Sequence, residues 1–185
     1  MKKYWYLVAS LPYLRLGEKP VLDADGFRAA CMTELSSTDL DTVDAVLGNR
    51  EPPAGAAGIL WNAEVQLRDA LIRLRAKHHT GENLMQSHPF SGFSVALEKS
   101  VQDAFARSNP AEMEMELDRV RWNLADELAA TDPFGFPAVV AYAAKLRLAT
   151  RWMQMNDEKG IVAVEKFIAK SLTEDRDGHK GGEDA

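Results

Sequence analysis

The chain has 185 residues and a formal net charge of −6 at pH 7, with a sequence pI near 5.3. That balance argues against a general nucleic-acid binder, whose phosphate contacts need a clustered basic surface. Hydrophobic residues make up 46% and charged residues 27%, the proportions of a globular protein long enough to bury a core without staples. The single Cys31 excludes an internal disulfide, and no apolar run approaches the ~20 residues of a membrane span.

Two lysines precede the aromatic, β-branched run Tyr4–Leu11. The run is short and ends in Leu-Pro, so it reads as part of the folded chain rather than a secretory signal, and a cytoplasmic location is expected. Periodicity leaves it open between a short strand and a first helical turn. Pro12, Gly17 and Pro20 then make a loop with Tyr13, Leu14 and Leu16 available for packing. Asp23 or Asp25 can cap a helix carrying Phe27, Ala30, Cys31 and Leu35 on one side, where Cys31 reads as a small buried hydrophobe. Ser37 or Thr38 can cap the next, with Leu40, Val43, Val46 and Leu47, ended by Gly48 and Asn49. Residues 48–58, GNREPPAGAAG, are the best linker and hinge candidate.

From Ala56 to His78 a long helix is predicted, burying Leu60, Ala63, Leu67, Leu71 and Leu74. Glu64 with Arg68 and Asp69 with Arg73 are expected as i,i+4 pairs on its outer face. A loop punctuated by Gly81, Pro89 and Gly92 leads to a helix with Phe93, Leu97, Val101 and Phe105. Two long helices follow, joined by a Pro/Gly-rich corner. The first is announced by Asn109, Pro110 and Glu112, a capping-box pattern, and carries Met113, Leu117, Val120, Leu124 and Leu128. The second has two apolar stripes, one through Val139, Tyr142, Leu146, Ala149 and Met153, the other through Val140, Ala144, Leu148, Trp152 and Met155. A helix apolar on most of its circumference is central. A last amphipathic helix is expected through Ile161, Val164, Phe167, Ile168 and Leu172, before a polar, disordered tail. The expected fold is therefore all-α, an antiparallel helical bundle: one domain over residues 1–172 and a tail over 173–185.

Few residues point to chemistry. His78, His79, Glu82 and His88 have metal-ligand types, but adjacent histidines on a helix point about 100° apart, and neither HExxH nor a cysteine pair occurs. A polar loop at a helix C-terminus explains them. Arg68, Arg73, Arg75, Lys77 and the two histidines concentrate positive charge at the end of the long helix. Ion pairing accounts for Arg68 and Arg73, which leaves Arg75 and Lys77 as candidates for contact with a partner. The acidic residues Glu112, Glu114, Glu116 and Asp118 alternate, which spreads them around a helix as dipole-friendly surface charge. No phosphate loop and no GxSxG elbow is present. Trp beside Arg is a pairing common at interfaces, so Trp122, Arg147, Arg151 and Trp152 form a second partner-binding candidate. No metal and no cofactor is expected.

The opening YWYLVASLPYLRLGEKP, the segment LRDALIRLRA, and ELDRVRWNLADEL followed by FPAVVAYAAKLRLATRW resemble an uncharacterised bacterial family encoded within operons for the V-type (archaeal-type) rotary ATPase. Within them, Glu114, Leu117, Asp118 and Trp122, then Leu146, Leu148 and Arg151, are similar to the helical units of the funnel-shaped protein in that ATPase's central stalk. The funnel has three such units, and this chain is long enough for roughly half of it at ordinary domain sizes. The resemblance implies a bundle like part of the funnel fold, and a non-catalytic accessory or central-stalk component that couples or assembles rotor and membrane ring. Its partners would be other V-type ATPase subunits, the rotor shaft and the membrane ring, and it would meet the membrane only through its complex. Two alternatives come from other classes: a small helical enzyme with a metal or carboxylate site near residues 78–88, and a regulatory module binding RNA or acidic partners through the Arg73–His79 face.

Overall fold

Tyr4 decides how the chain begins. Its backbone N–H donates to the Phe134 carbonyl at 2.7 Å, and its hydroxyl donates to Asp39 Oδ2 at 2.6 Å. With the aromatic ring buried and both polar ends satisfied, the next residues turn into a short helix, α1, Trp5–Ser10. The open choice between strand and helical turn resolves as helix. The computed structural model describes residues 3–53, 55–78 and 89–154. Among them are seven helices, and the one β-type contact is an isolated antiparallel bridge between Lys3 and Gly135. The all-helical expectation therefore holds, and no described helix is long and apolar enough to cross a membrane.

Helix α2, Ala24–Glu34, is capped by Asp23, whose side chain accepts from Gly26 N. Helix α3, Ser37–Leu47, is capped by Ser36 rather than Ser37 or Thr38. Ser36 holds the extended backbone a cap requires, and its hydroxyl accepts from Asp39 N. Arg28 grips Asp44 with two nitrogens, each at 2.8 Å, clamping α2 to α3. Cys31 is fully buried between these elements, and that burial pushes its thiol up to about 12, as expected of a packed sulfur.

Helix α4 spans Ala56–His78 and α5 spans Val95–Phe105. Helix α5 starts later than its apolar pattern predicts. Ser94 is the cap, and Phe93 lies outside the helix, 62% exposed. Gln66 on α4 holds that cap in place. Its amide donates to the Ser94 carbonyl at 2.7 Å and accepts from Ser94 N at 3.0 Å, as a paired backbone would. The expected Asp69–Arg73 surface pair is also corrected. Asp69 is buried, and Arg73 reaches Glu98 on α5 at 2.6 Å.

Helix α6, Pro110–Thr131, is capped by Asn109, whose side chain accepts from Ala111 N at 2.9 Å. The short turn Asp132–Gly135 sends α7, Phe136–Gln154, back along α6. No room for a Cβ exists at Gly135, because the Asp132 carboxylate occupies that place. Asp132 in turn accepts from Lys3 at 2.6 Å, tying the chain start to the turn. Helix α7 packs against α2, α3, α4 and α6, and nine of its residues are buried. It is the central helix, although Met153 at the end of one stripe is 43% exposed.

The buried side chains form two clusters. One gathers α1, α2, α3, α7 and the later half of α6 around Phe27, Leu128 and Leu146. The other joins α4, α5 and the earlier half of α6 around Leu67, Val101 and Leu117. Helix α6 is common to both. Ala57 belongs to the first cluster, so the chain after residue 55 is already committed to packing, within the stretch expected as a linker. The expected last helix, the tail, Met155, His79, Glu82 and His88 lie outside the described residues.

Candidate functional site

Helical spacing puts Glu114, Asp118 and Arg121 on one face of α6, at i, i+4 and i+7. Arg147 and Arg151 stand one turn apart on α7, and Glu64 and Arg68 do so on α4. These faces meet where the two apolar clusters join. Asp118 is fully buried there. Its Oδ1 accepts from Arg121 Nη1 at 2.8 Å. Its Oδ2 accepts from Arg151 Nη2 and from the Trp152 indole N–H, both at 2.8 Å. A carboxylate with three donors is well compensated for leaving water.

The chain of opposite charges runs on in both directions. Arg151 Nη2 also donates to Glu114 at 3.0 Å. Arg121 donates from Nε to Glu64 Oε2 at 2.7 Å and from Nη2 to Oε1 at 3.2 Å. Arg68 adds a bond to Glu64 Oε1 at 2.9 Å and lies over the Trp61 ring. Burial alone would push the Glu64 carboxyl up, but the Arg121 hydrogen bond and charge, with Arg68 and Arg147, hold it below the ordinary carboxylate value. Burial works against the Arg121 charge as well, and Glu64 and Asp118 outweigh it and raise that guanidinium. A carboxylate held ionised in this way is poorly suited to proton transfer near neutral pH. What the arrangement does is lock α4, α6 and α7 in register and hold cations in place.

One side of this network opens into a cleft of about 400 Å³. Asn49, Glu64, Arg121, Arg147, Thr150 and Arg151 line it, and Gly48, Asn49 and Gln154 are exposed at its rim. Asn49 has a left-handed backbone, φ 51, which asparagine tolerates after a helix end. Its side-chain oxygen accepts from Arg147. Among the described residues Arg147 has no carboxylate at ion-pair distance. Burial pulls its guanidinium below the usual value; Glu64 and Asp118 oppose this, and Arg121 and Arg68 add to it. Adjoining the cleft, and sharing Glu64, Arg121 and Arg147 with it, Leu60, Leu67 and Leu124 help line a narrower cavity of about 50 Å³, room for a few waters.

The sequence candidates separate in three dimensions. Arg151 and Trp152 meet on Asp118, and Arg147 lines the same cleft. Trp122 does not line it; Lys145 lies over the Trp122 ring at 5.1 Å and is paired with Asp126. Arg75 is exposed on α4 and does not line the cleft, while the Lys77 side chain lies outside the described residues. The acidic run, expected as surface charge, divides. Glu112 is exposed, but Asp118 is the buried hub. Sequence reasoning misses Glu64, Arg121, Asn49 and Thr150 as site residues. The signal for the first two is present as carboxylates and arginines at i, i+4 and i+7 spacing, but nothing in it says that those faces meet.

No curated protein and no solved structure matches the chain. Residues 66–174 match a family described as "Protein of unknown function (DUF2764)". The match takes in Asp118, Arg121, Arg147, Arg151 and Trp152, and leaves out Asn49 and Glu64. It spans more than half of the sequence, and the chain belongs to the DUF2764 family.

Proposed function

We propose that the protein is a non-catalytic component of a V-type (archaeal-type) rotary ATPase, an accessory or central-stalk part related to the helical units of the stalk's funnel. The observation that supports this reading is the bonding between the residues that carry the resemblance. Glu114 and Asp118 on α6 both accept from Arg151 on α7, at 3.0 and 2.8 Å. In this chain the acidic pattern and the arginine pattern are thus two halves of one lock across the α6–α7 hairpin. Trp122, also part of that pattern, stands apart beside Lys145. A part that transmits torque or holds an assembly in register needs helices that do not slide past one another. A buried, directional charge network opposes sliding, because a slipped register would leave its buried charges unpaired. Docking would use the exposed surface around this hairpin, and ATP hydrolysis would belong to other subunits.

Affinity capture of the tagged protein from gently solubilised native membranes tests the reading. Recovery of rotary-ATPase subunits in near-equal amounts is the expected result for a constitutive part, and substoichiometric recovery marks an assembly factor. A folded protein that recovers none of them contradicts the proposal.

A further inference from the structure

We infer that the cleft between α4, α6 and α7 is a receptor for a single carboxylate, presented by an acidic side chain of a protein partner. The inference rests on the proposed function for the kind of partner, and on the cleft itself for the ligand.

Charge supplies the first argument. Four guanidiniums, Arg68, Arg121, Arg147 and Arg151, belong to the network, against three carboxylates, Glu64, Asp118 and Glu114. The three carboxylates are all bonded to Arg68, Arg121 and Arg151, so the surplus positive charge falls on Arg147. One carboxylate neutralises it. A phosphate dianion overshoots by one charge, and the repulsion from Glu64 and Asp118, which any anion in this cleft meets, is about twice as large for it as for a carboxylate.

Unused donors supply the second. Arg151 Nε and the Thr150 hydroxyl are buried without a hydrogen-bond partner among the described residues. Both residues line the cleft next to Arg147. Buried polar atoms are nearly always satisfied, and these two, closed off from solvent, are donors that a carboxylate held at the unneutralised Arg147 guanidinium reaches by displacing the side chains around them. Space supplies the third. A cleft of about 400 Å³ admits a Glu or Asp side chain with its neighbouring backbone, and its rim at Gly48, Asn49 and Gln154 is open for the rest of the partner.

The test uses the full chain labelled at arginine Nε and titrated with N-acetyl-glutamate amide, then with inorganic phosphate, at constant ionic strength. The expected result is a saturable shift of the Arg147 and Arg151 Nε–H resonances with the blocked glutamate, and weaker binding of phosphate. Arg147→Gln should weaken that binding about tenfold or more, and Thr150→Val by less, with the thermal midpoint of each variant close to the parent. Absence of a saturable shift overturns the inference. So does binding that survives Arg147→Gln, or tighter binding of phosphate. The two readings fail separately. If ATPase subunits are captured but no carboxylate binds, the cleft assignment falls and the function stands. If carboxylate binds at Arg147 but no part of the ATPase is captured, the choice of partner falls and the cleft stands.

Discussion

Asp118 has no access to solvent, and its two oxygens hold three donors from two helices. Removing such a partner leaves the others charged and unpaired, which costs far more than the pair itself contributes. Asp118→Ala should therefore lose about 3–5 kcal/mol of unfolding free energy, measured by urea denaturation. Asp118→Asn keeps an acceptor for the Trp152 indole and should lose less. Glu64 sets a pH dependence. Its pKa in the folded protein lies below the ordinary 4.5, so its contribution is complete above that value and is lost as pH falls through the depressed one. Glu64→Gln should lower stability at neutral pH and flatten the acid limb below about pH 4.5, read from urea midpoints across that range. A variant as acid-sensitive as the parent would assign the acid limb to other carboxylates.

At the scale of elements, Gln66 makes the most exposed prediction. One side chain satisfies both the N–H and the C=O of Ser94, and Ser94 in turn caps α5 through Leu97 N. Gln66→Leu keeps the volume but strands two backbone groups, at a cost of about 1–3 kcal/mol each where they are buried. Amide exchange should quicken in α5 first, while α7 keeps its protection; equal loss in both helices would contradict this. The helices themselves are largely legible in the sequence. Apolar residues at 3–4 spacing place α4, α6 and α7, because hydrophobic periodicity is a property of local sequence. Ends are less so. Ser36 is chosen over Ser37 by backbone conformation, and Phe93 is excluded from α5 because Ser94 is tied down by α4, a contact 28 residues away in sequence.

The whole molecule has two apolar clusters that share α6, and the charge network lies at their seam. That position explains why the site is only partly readable from sequence. Arg151 and Trp152 can be singled out as a pair, but Asp118 passes for one of four alternating acids, because burial at a seam depends on how three helices meet. The same position ties three helices together through α6, since shifting α6 relative to α4 or to α7 breaks bonds on either side. A protein built to hold helices in register, with a cationic cleft at one side of the lock, suits a role inside an assembly. The most direct measurement is the reciprocal capture. A tag on one of the catalytic subunits of the rotary ATPase from the same cells is used to purify the complex, and this chain is quantified in it. Its recovery is expected in a fixed ratio to the central stalk, with cross-links formed from the surface around Arg147 and Gln154. An intact, active rotary ATPase purified without this chain at any stage of assembly would contradict it.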